Sequence, residues 1–370
     1  MRGHLLESCL LEMATNSTLL PPETAFALLA QNKVGIDVRS PKEFGKGDLP
    51  STQNIPILDD EHRHLVGCSY QNEGNKAAIT LGHKLVEPIK NSLVNNWLRV
   101  IGAQDRTPLF CWRGGLRSQI ATDWISNAGG QVERVEGGFR AIRRVALSRL
   151  ESPPPLLIVS GWTGSGKTEV FQEHSNFLDL EEAAAHRGSA FGKRTDRPQP
   201  SQISFENRLA IELSNIDGRV LVEDEARMIG IRHVPEVFYE AMAKAPSIFL
   251  ESPLQERAIR IYEGYVLSVL ESGTSIKELT ETLVTSVERI SRRLGDQRAS
   301  AVKASIEDAF STRSTDVDRH LPWIKTLLAN YYDKSYQHAL EKKGRRILFR
   351  GNARECLGWL EHTDLRNLEA

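Results

Sequence analysis

The feature that most constrains the fold is a glycine-rich loop placed directly after a short apolar run. The run, residues 156–159, has four consecutive apolar residues, as is typical of a strand buried on both faces of a parallel sheet. The loop fits the pattern G-x-x-x-x-G-K-[ST] and consists of Gly161, Trp162, Thr163, Gly164, Ser165, Gly166, Lys167 and Thr168. Its backbone N–H groups would surround phosphate oxygens, which the lysine neutralises. We therefore predict a P-loop NTPase-like α/β domain with a phosphate site.

An acidic group follows a second apolar run, residues 220–222, and consists of Glu223, Asp224 and Glu225. In P-loop proteins an acid at the end of a strand completes the Mg²⁺ shell. Thr168, Glu223 and Asp224 are therefore candidate Mg²⁺ ligands, whereas a solvated charged turn is the structural alternative. We expect no tightly bound cofactor.

A second loop, residues 111–118, places a cysteine between a predicted strand end and a predicted helix start. Its glycines let the backbone curl so that successive N–H groups point inward, and Arg113 and Arg117 add positive charge. A cysteine in such a site is a nucleophile beside a bound anion. We therefore predict that Cys111, Arg113 and Arg117 are catalytic; a buried structural thiol is the alternative.

Two chemistries share the layout Cys-x-x-Gly-x-x-Arg-Ser. It resembles the loop of cysteine-dependent phosphatases, in which the thiolate attacks phosphorus, whereas in rhodanese-type sulfurtransferases the thiolate attacks sulfur or selenium. Three segments resemble the rhodanese signature: residues 37–44, 47–50 and 54–56. Phe110 stands where the phosphatases usually carry a histidine, which favours a rhodanese-like parallel-sheet domain. Five residues separate Cys111 from Arg117, one more than in common rhodaneses, so the phosphatase alternative stays open.

The two loops fall in separate predicted domains, residues 15–150 and 156–370. They are joined by Glu151-Ser152-Pro153-Pro154-Pro155, and consecutive prolines favour an extended connection. In the first domain, short apolar strands alternate with helical stretches, as in a parallel sheet covered by helices. From about residue 253 to 346 the pattern is mostly helical and rich in charge, so we predict a helical subdomain appended to the P-loop domain.

Composition limits the partners and the compartment. The formal net charge of −1 does not indicate nucleic-acid binding, but local basic clusters can meet phosphates in a chain of any net charge. Two such clusters are Arg289, Arg292, Arg293 and Arg298, and Lys342, Lys343, Arg345 and Arg346. Solvated helix faces are the alternative. The cysteines are scattered and no apolar stretch approaches the length of a membrane span, so we expect a cytoplasmic protein without disulfides or a membrane partner.

With both loops in one chain, the sequence resembles the tRNA 2-selenouridine synthase family across most of its length. The likeness also rests on residues 186–192, 205–207 and 223–225, whereas the first 14 residues or so lie outside the family pattern. Within these segments, His186, Arg187 and Gly188 are second-line site candidates beside the acidic group. His186 and Arg187 would bind tRNA phosphate or diphosphate; an ordinary polar loop residue is the alternative for His186.

The resemblance implies two reactions on 2-thiouridine at the wobble position of the tRNA anticodon arm. A geranyl group from geranyl diphosphate is first placed on the sulfur, with the P-loop and Mg²⁺ stabilising the departing diphosphate. Selenium from selenophosphate then replaces the geranylated sulfur via Cys111, which would carry it as a perselenide while Arg113 and Arg117 hold phosphate. Candidates for an apolar slot for the geranyl chain are Trp162, Phe171, Phe177 and Phe191; packing in the protein core is the alternative for each.

Two other functions stay open at this point. One is an ATP-dependent tRNA sulfurtransferase, in which the P-loop spends ATP to activate the base. The other is a regulatory phosphate-binding protein with a redox cysteine. ATP-dependent product formation would indicate the first, and tRNA modification that survives Cys111→Ala would indicate the second.

Overall fold

The computed structural model describes residues 19–102, 104–189, 191–192, 194, 197–311 and 316–368, so the N-terminal extension lies outside the described residues. The chain forms two compact units that divide between Ser148 and Arg149. Each unit has its own parallel sheet and its own buried core. The predicted α/β class is therefore confirmed.

The first unit is built on a parallel sheet with strand order β2-β1-β3-β4. Its strands are β1 Gly35–Asp37, β2 Thr52–Asn54, β3 Pro108–Phe110 and β4 Glu133–Arg134. Its helices are α1 Pro22–Ala30, α2 Pro41–Gly45, α3 Asp60–Glu73, α4 Asn75–Val86, α5 Lys90–Ile101, α6 Leu116–Asn127 and α7 Gly138–Glu151. Val38 N–H donates to the Phe110 carbonyl at 3.0 Å, so the loops that follow β1 and β3 leave the sheet side by side. This pairing brings residues 38–44 next to Cys111.

The second unit is built on a parallel sheet with strand order β11-β10-β5-β7-β6. The strands are β5 Leu156–Gly161, β6 Phe177–Leu178, β7 Val220–Glu223, β10 Ser247–Leu250 and β11 Ile347–Gly351. A separate antiparallel pair is formed by β8 Met228–Ile229 and β9 Arg232–His233. The helices that accompany the sheet are α8 Lys167–Phe171, α9 Leu180–Ala184, α10 Gln202–Ser214, α11 Glu236–Lys244 and α18 Ala353–His362. Strands β5 and β7 are buried along their length, as the apolar runs predict.

A helical layer lies between β10 and β11 in the chain. Its helices are α12 Leu254–Tyr262, α13 Ser268–Glu271, α14 Ile276–Leu294, α15 Asp296–Ser311, α16 Val317–Leu327 and α17 Asp333–Lys343. Helix α14 buries an apolar stripe that includes Leu279, Leu283, Val287 and Ile290, and this stripe joins a core shared with α15 and α16. After Lys343 the chain returns to the sheet as β11, a strand that the sequence patterns did not predict. Within the described residues, no helix combines the length and apolarity needed to cross a membrane.

Candidate functional site

In the first unit, strand β3 carries Cys111 to the mouth of a pocket. The Cys111 residue is 3% exposed, and its thiol lies 3.4 Å from the Ser118 Oγ, to which it donates. The Ser118 hydroxyl in turn donates to the Gly115 carbonyl at 2.9 Å. Helix α6 begins at Leu116, and the first N–H groups of a helix have no partner within it. The thiol therefore lies beside backbone donors that can meet an anion.

Arg117 reaches the same pocket but is already paired with a carboxylate. Its Nη1 lies 2.5 Å from Glu43 Oε2 and its Nη2 lies 3.2 Å from Glu43 Oε1. Glu43 is itself held by a reciprocal capping interaction with Ser40 at the start of α2. Burial alone would raise the pKa of Glu43, but Arg117 and Arg63 outweigh that effect and lower it to about 2. Arg117 is thus fixed in one orientation, whereas the predicted anion ligand Arg113 is exposed on the pocket rim.

The cysteine pocket has a volume of about 850 Å³. Cys111, Arg113 and Arg117 line it together, as the sequence predicts. It is also lined by residues that the sequence analysis did not single out: Glu43, Lys46, Arg63, Tyr70 and Trp112. Glu43 belongs to the segment that resembles the rhodanese signature, so a local signal for it existed.

Two other residues of that segment have a structural role. Arg39 and Asp37 are fully buried, and Arg39 Nη2 lies 2.6 Å from Asp37 Oδ2. The guanidinium of Arg39 also lies 3.7 Å from the centre of the Phe139 ring and donates to the Gly47 carbonyl at 2.8 Å. These contacts tie the loop after β1 to α7, so this pair supports the pocket without lining it.

In the second unit, the glycine-rich loop connects β5 to α8 and borders a pocket of about 490 Å³. Gly161, Thr163, Gly164, Gly166, Lys167 and Thr168 line this pocket. Trp162 and Ser165, also predicted to bind phosphate, are outside the lining. Trp162 packs edge-on against Phe249 at 5.5 Å between ring centres, and Ser165 is 2% exposed. The Lys167 Nζ donates to the Gly161 carbonyl at 3.2 Å, within the loop that would receive phosphate.

Three carboxylates converge on the same pocket, and one of them was not predicted. Ligand atoms of Glu181, Glu223 and Glu225 all lie within 4.8 Å of one another. The Thr168 hydroxyl donates to Glu223, so it belongs to the same group. Burial, followed by the charge of Glu223, raises the pKa of Glu181, and the same two causes raise that of Glu225 to about 8. Burial also raises the pKa of Glu223 itself. Crowded oxygen donors of this kind suit a hard divalent cation, which would replace the protons.

Asp224 occupies a different environment from the one predicted. Its Oδ1 lies 2.7 Å from Lys343 Nζ and 2.8 Å from Arg345 Nη1, and its Oδ2 accepts from the Tyr336 hydroxyl at 3.0 Å. Burial would raise the pKa of Asp224, but Arg345 and Lys343 outweigh it and keep the pKa below its ordinary value. The geometry therefore favours Glu181 and Glu225 over Asp224 as partners of Glu223 in a cation site.

The second-line candidates of residues 186–188 all line the phosphate pocket. The Arg187 guanidinium lies 4.9 Å from the centre of the Tyr265 ring and donates to the Gly264 carbonyl. The His186 Nδ1 is buried without a hydrogen-bond partner among the residues that the structure describes, and burial lowers the pKa of this histidine. Gly188 has a φ of +56°, and a Cβ there would lie 2.5 Å from Glu181 and 2.6 Å from Glu225. A glycine at this position therefore makes room for the carboxylates.

The four aromatic residues predicted to form an apolar slot lie in different surroundings. Phe171 is fully buried and packs with Phe177 in the core of the sheet. Phe191 lines an apolar cavity of about 30 Å³. This cavity shares five lining residues with the phosphate pocket: Thr163, Ser189, Ile261, Tyr265 and Tyr332.

Together these features define an α/β protein with two parallel sheets, each bearing a polar pocket beside a glycine-containing loop at the carboxyl end of a strand. Residues 154–366 match the family model described as "tRNA 2-selenouridine synthase AAA domain". Proteins named tRNA 2-selenouridine synthase from Shewanella oneidensis, Shewanella woodyi and Shewanella sediminis are each 38% identical to this chain. The matches cover 94%, 93% and 94% of this chain and 96%, 98% and 98% of those proteins. The chain belongs to the tRNA 2-selenouridine synthase family, which confirms the resemblance seen in the sequence.

Proposed function

We propose that this chain converts 2-thiouridine at the tRNA wobble position into 2-selenouridine through two transfer reactions, one in each pocket. The observation that carries the proposal is the match to tRNA 2-selenouridine synthases over 94% of the chain. The two pockets supply different chemistry, a nucleophilic thiol in one and a phosphate-binding loop with clustered carboxylates in the other.

The first reaction transfers a geranyl group in the phosphate pocket. The thiocarbonyl sulfur of the base attacks C1 of geranyl diphosphate, the C1–O bond breaks, and its electron pair leaves with diphosphate while the base loses its N3 proton. Lys167 and the loop N–H groups stabilise the charge that develops on the leaving group. Alkylation turns the sulfur into a better leaving group for the second reaction.

Glu181, Glu223, Glu225 and Thr168 would hold Mg²⁺ in this pocket. They are hard oxygen donors, and burial raises the pKa of each of the three carboxyl groups, so a cation beside them would stabilise their charged forms. When bound, Mg²⁺ supplies neutralisation of the diphosphate charge. His186 and Arg187 lie on the same walls, where they would bind the outer phosphate oxygens.

The geranyl chain enters the apolar cavity that adjoins the phosphate pocket. Phe191, Ile261 and Tyr332 line it, and its volume of about 30 Å³ holds only part of a ten-carbon chain. The rest of the chain lies along the open pocket.

The second reaction exchanges the geranylated sulfur for selenium in the cysteine pocket. The geranylated base, selenophosphate and water give the selenated base, geranyl thiol and phosphate, with no change in oxidation state. A Cys111 thiolate that took selenium from selenophosphate would leave the P–Se electron pair on phosphorus and release phosphite. Transfer of that selenium to the base would then require a further thiol as reductant, because selenium would be held in an S–Se bond on Cys111.

We propose that Cys111 attacks phosphorus instead. The intermediate is then a phosphocysteine and not the perselenide that the likeness to sulfurtransferases suggests. The S–P bond forms as the P–Se bond breaks, and the electron pair leaves on selenium as selenide. Selenide adds to C2 of the base and expels geranyl thiolate, while water hydrolyses the phosphocysteine to phosphate and restores Cys111. The five-residue spacing from Cys111 to Arg117 and the Ser118 hydroxyl beside the thiol support this course, because they match the loops of cysteine-dependent phosphatases.

Nucleoside mass spectrometry tests the two reactions. Thiolated tRNA is incubated with Mg²⁺, geranyl diphosphate and selenophosphate, without ATP, and wild type is compared with Cys111→Ala and Lys167→Ala. We expect selenated product from wild type, geranylated product from Cys111→Ala and neither from Lys167→Ala. Product that forms only after ATP is added would contradict the proposal and indicate an ATP-dependent sulfurtransferase.

Selenophosphate labelled with ³²P or ⁷⁵Se tests the attack on phosphorus. We expect acid-quenched wild type to retain ³²P, and Cys111→Ala to lose it. Cys68→Ala is the matched control, because Cys68 is a second free thiol of the same unit. Retention of ⁷⁵Se on Cys111, with release of phosphite, would contradict attack on phosphorus.

A further inference from the structure

An apolar groove opens beside the cysteine pocket in the first unit. It has a volume of about 290 Å³ and lies between the helical hairpin α3–α4 and helix α6. Its apolar lining includes Ile57, Leu58, Val66, Ile79, Ile120 and Trp124. The phosphate pocket and its adjoining cavity belong to the other unit, so the groove is a separate feature.

The groove and the cysteine pocket form one continuous depression. Five residues line both of them: Arg63, Gly67, Tyr70, Leu116 and Arg117. Leu116 and Tyr70 are exposed, at 46% and 60%, at this junction. A molecule that reaches the Cys111 thiol past Arg117 can therefore extend an apolar group into the groove without leaving the protein surface.

Two glycines keep the groove open. Gly67 lies within α3 and Gly82 within α4, and both line the groove. A glycine inside a helix destabilises it relative to alanine. Neither glycine has a positive φ, and a Cβ would approach no atom closer than 3.9 Å at Gly67 and 3.7 Å at Gly82. Backbone conformation and tight packing therefore do not explain these glycines, whereas the space in front of them does.

We propose that the groove binds the geranyl chain of the S-geranylated base while C2 of that base reacts beside Cys111. The inference rests on the proposed function, because that function puts the chain on the sulfur that leaves C2. The chain must accompany the reacting atom into the cysteine pocket, and an apolar chain gains free energy when it leaves water for an apolar surface. The first unit thus recognises the product of the first reaction by its tail and selects it over the unmodified 2-thiouridine.

The test compares two anticodon stem-loop RNAs, one with an S-geranyl and one with an S-methyl group on 2-thiouridine. Selenation from selenophosphate is followed with wild type and with Gly82→Leu, which fills the groove at a position that tolerates a side chain. Thr80→Leu is the matched control, because it adds the same group at an exposed position of the same helix. Thermal unfolding verifies that Gly82→Leu is folded, which we expect because leucine favours a helix over glycine.

We expect Gly82→Leu to lower kcat/KM for the S-geranyl RNA by about 10-fold or more and to leave the S-methyl RNA unchanged, since several buried methylene groups lose their place. Thr80→Leu should match wild type with both RNAs. Equal effects of Gly82→Leu on the two RNAs, or no effect on either, would overturn the groove assignment. Binding of the two RNAs without selenophosphate gives a second readout, in which wild type should prefer the S-geranyl RNA and Gly82→Leu should not. If wild type shows that preference but forms no selenated product, the proposed function fails and the groove assignment stands.

Discussion

The two pockets differ in the balance of their charges. In the cysteine pocket, Glu43 is neutralised by Arg117 and Arg63, and Lys46 and Arg113 lie on the same walls. In the phosphate pocket, Glu181, Glu223 and Glu225 crowd together, and Lys167 lowers their pKa values less than burial raises them. Arg187, Arg194 and Arg260 also line this pocket. The first pocket can therefore receive an anion by itself. We propose that the carboxylates of the second pocket require an added cation before a diphosphate can approach, so only geranylation should depend on a metal.

Removal of divalent cations is the strongest test of the difference between the two pockets. With EDTA in place of Mg²⁺, we expect geranylation to fall by about 10³-fold, since a metal contributes several kcal/mol to a developing anionic charge. Selenation of an RNA that is already S-geranylated should stay within about 2-fold, because the charge pairing of the cysteine pocket involves side chains alone. Nucleoside mass spectrometry of each reaction, run separately, measures both. An equal loss in the two reactions would contradict the difference between the pockets.

Substitution of Arg117 tests whether the positive charge of the cysteine pocket binds an anion. We expect Arg117→Ala to lower kcat/KM for selenation by about 10²-fold, as when one donor to a reacting oxyanion is removed, and to leave geranylation unchanged. Arg106→Ala is the matched control, because Arg106 makes a bidentate ion pair with Glu133 in the same unit but outside the pocket. If Arg117→Ala and Arg106→Ala had the same small effect, Arg117 would have no role in anion binding.

The local parts of both sites could be predicted from the sequence. Strand β5 and its loop, and β3 with Cys111, are contiguous runs in which a short-range pattern determines the local structure. The charge balance depends on long-range contacts and could not be predicted. Glu181 joins Glu223 only because β6, which precedes α9, pairs with β7.

Asp224 illustrates the same limit. A motif at the end of β7 offers three acidic residues that look equivalent in sequence. The fold separates them, because Lys343 and Arg345 reach Asp224 from more than one hundred residues away. Lys343 and Arg345 belong to the second basic cluster, so two of its four residues form ion pairs inside the protein. The sequence pattern of the cluster did not indicate this pairing. The groove beside Cys111 was also not predicted. A glycine within a helix does not indicate a groove until the residues packed around that helix are known.

The pH dependence of stability tests the crowding of carboxylates in the phosphate pocket. The pKa of Glu225 is raised to about 8 in the folded protein, so the folded state holds a proton that the unfolded state has released above its ordinary carboxyl pKa near 4.5. The folded state binds more protons in this range, and stability in EDTA should therefore fall as the pH rises from about 4.5 to about 8. Mg²⁺ should reduce this fall, because it takes the place of the protons.

Thermal unfolding of wild type and Glu225→Gln between pH 5 and 9 measures this effect. We expect Glu225→Gln to unfold a few degrees higher than wild type at pH 8 in EDTA, and to gain less from Mg²⁺. Glu173→Gln, at an exposed position of the same unit, should behave like wild type. A melting temperature of wild type in EDTA that does not fall with pH would contradict the crowding of the three carboxylates.

The smallest expected effect concerns the tRNA, which is the substrate of both proposed reactions. The exposed arginines at the end of α14, Arg292 and Arg293, form a basic patch on the helical layer. We propose that this patch contacts the RNA backbone, and we expect Arg293→Glu to weaken tRNA binding about 5-fold and to lower the slope of log K against log salt by about 1. Lys277→Glu, which makes the same charge change at the other end of α14, should have less effect. Both reactions should lose the same factor with Arg293→Glu, because one RNA serves both pockets. An unchanged affinity and salt slope would exclude this patch from the RNA-binding surface.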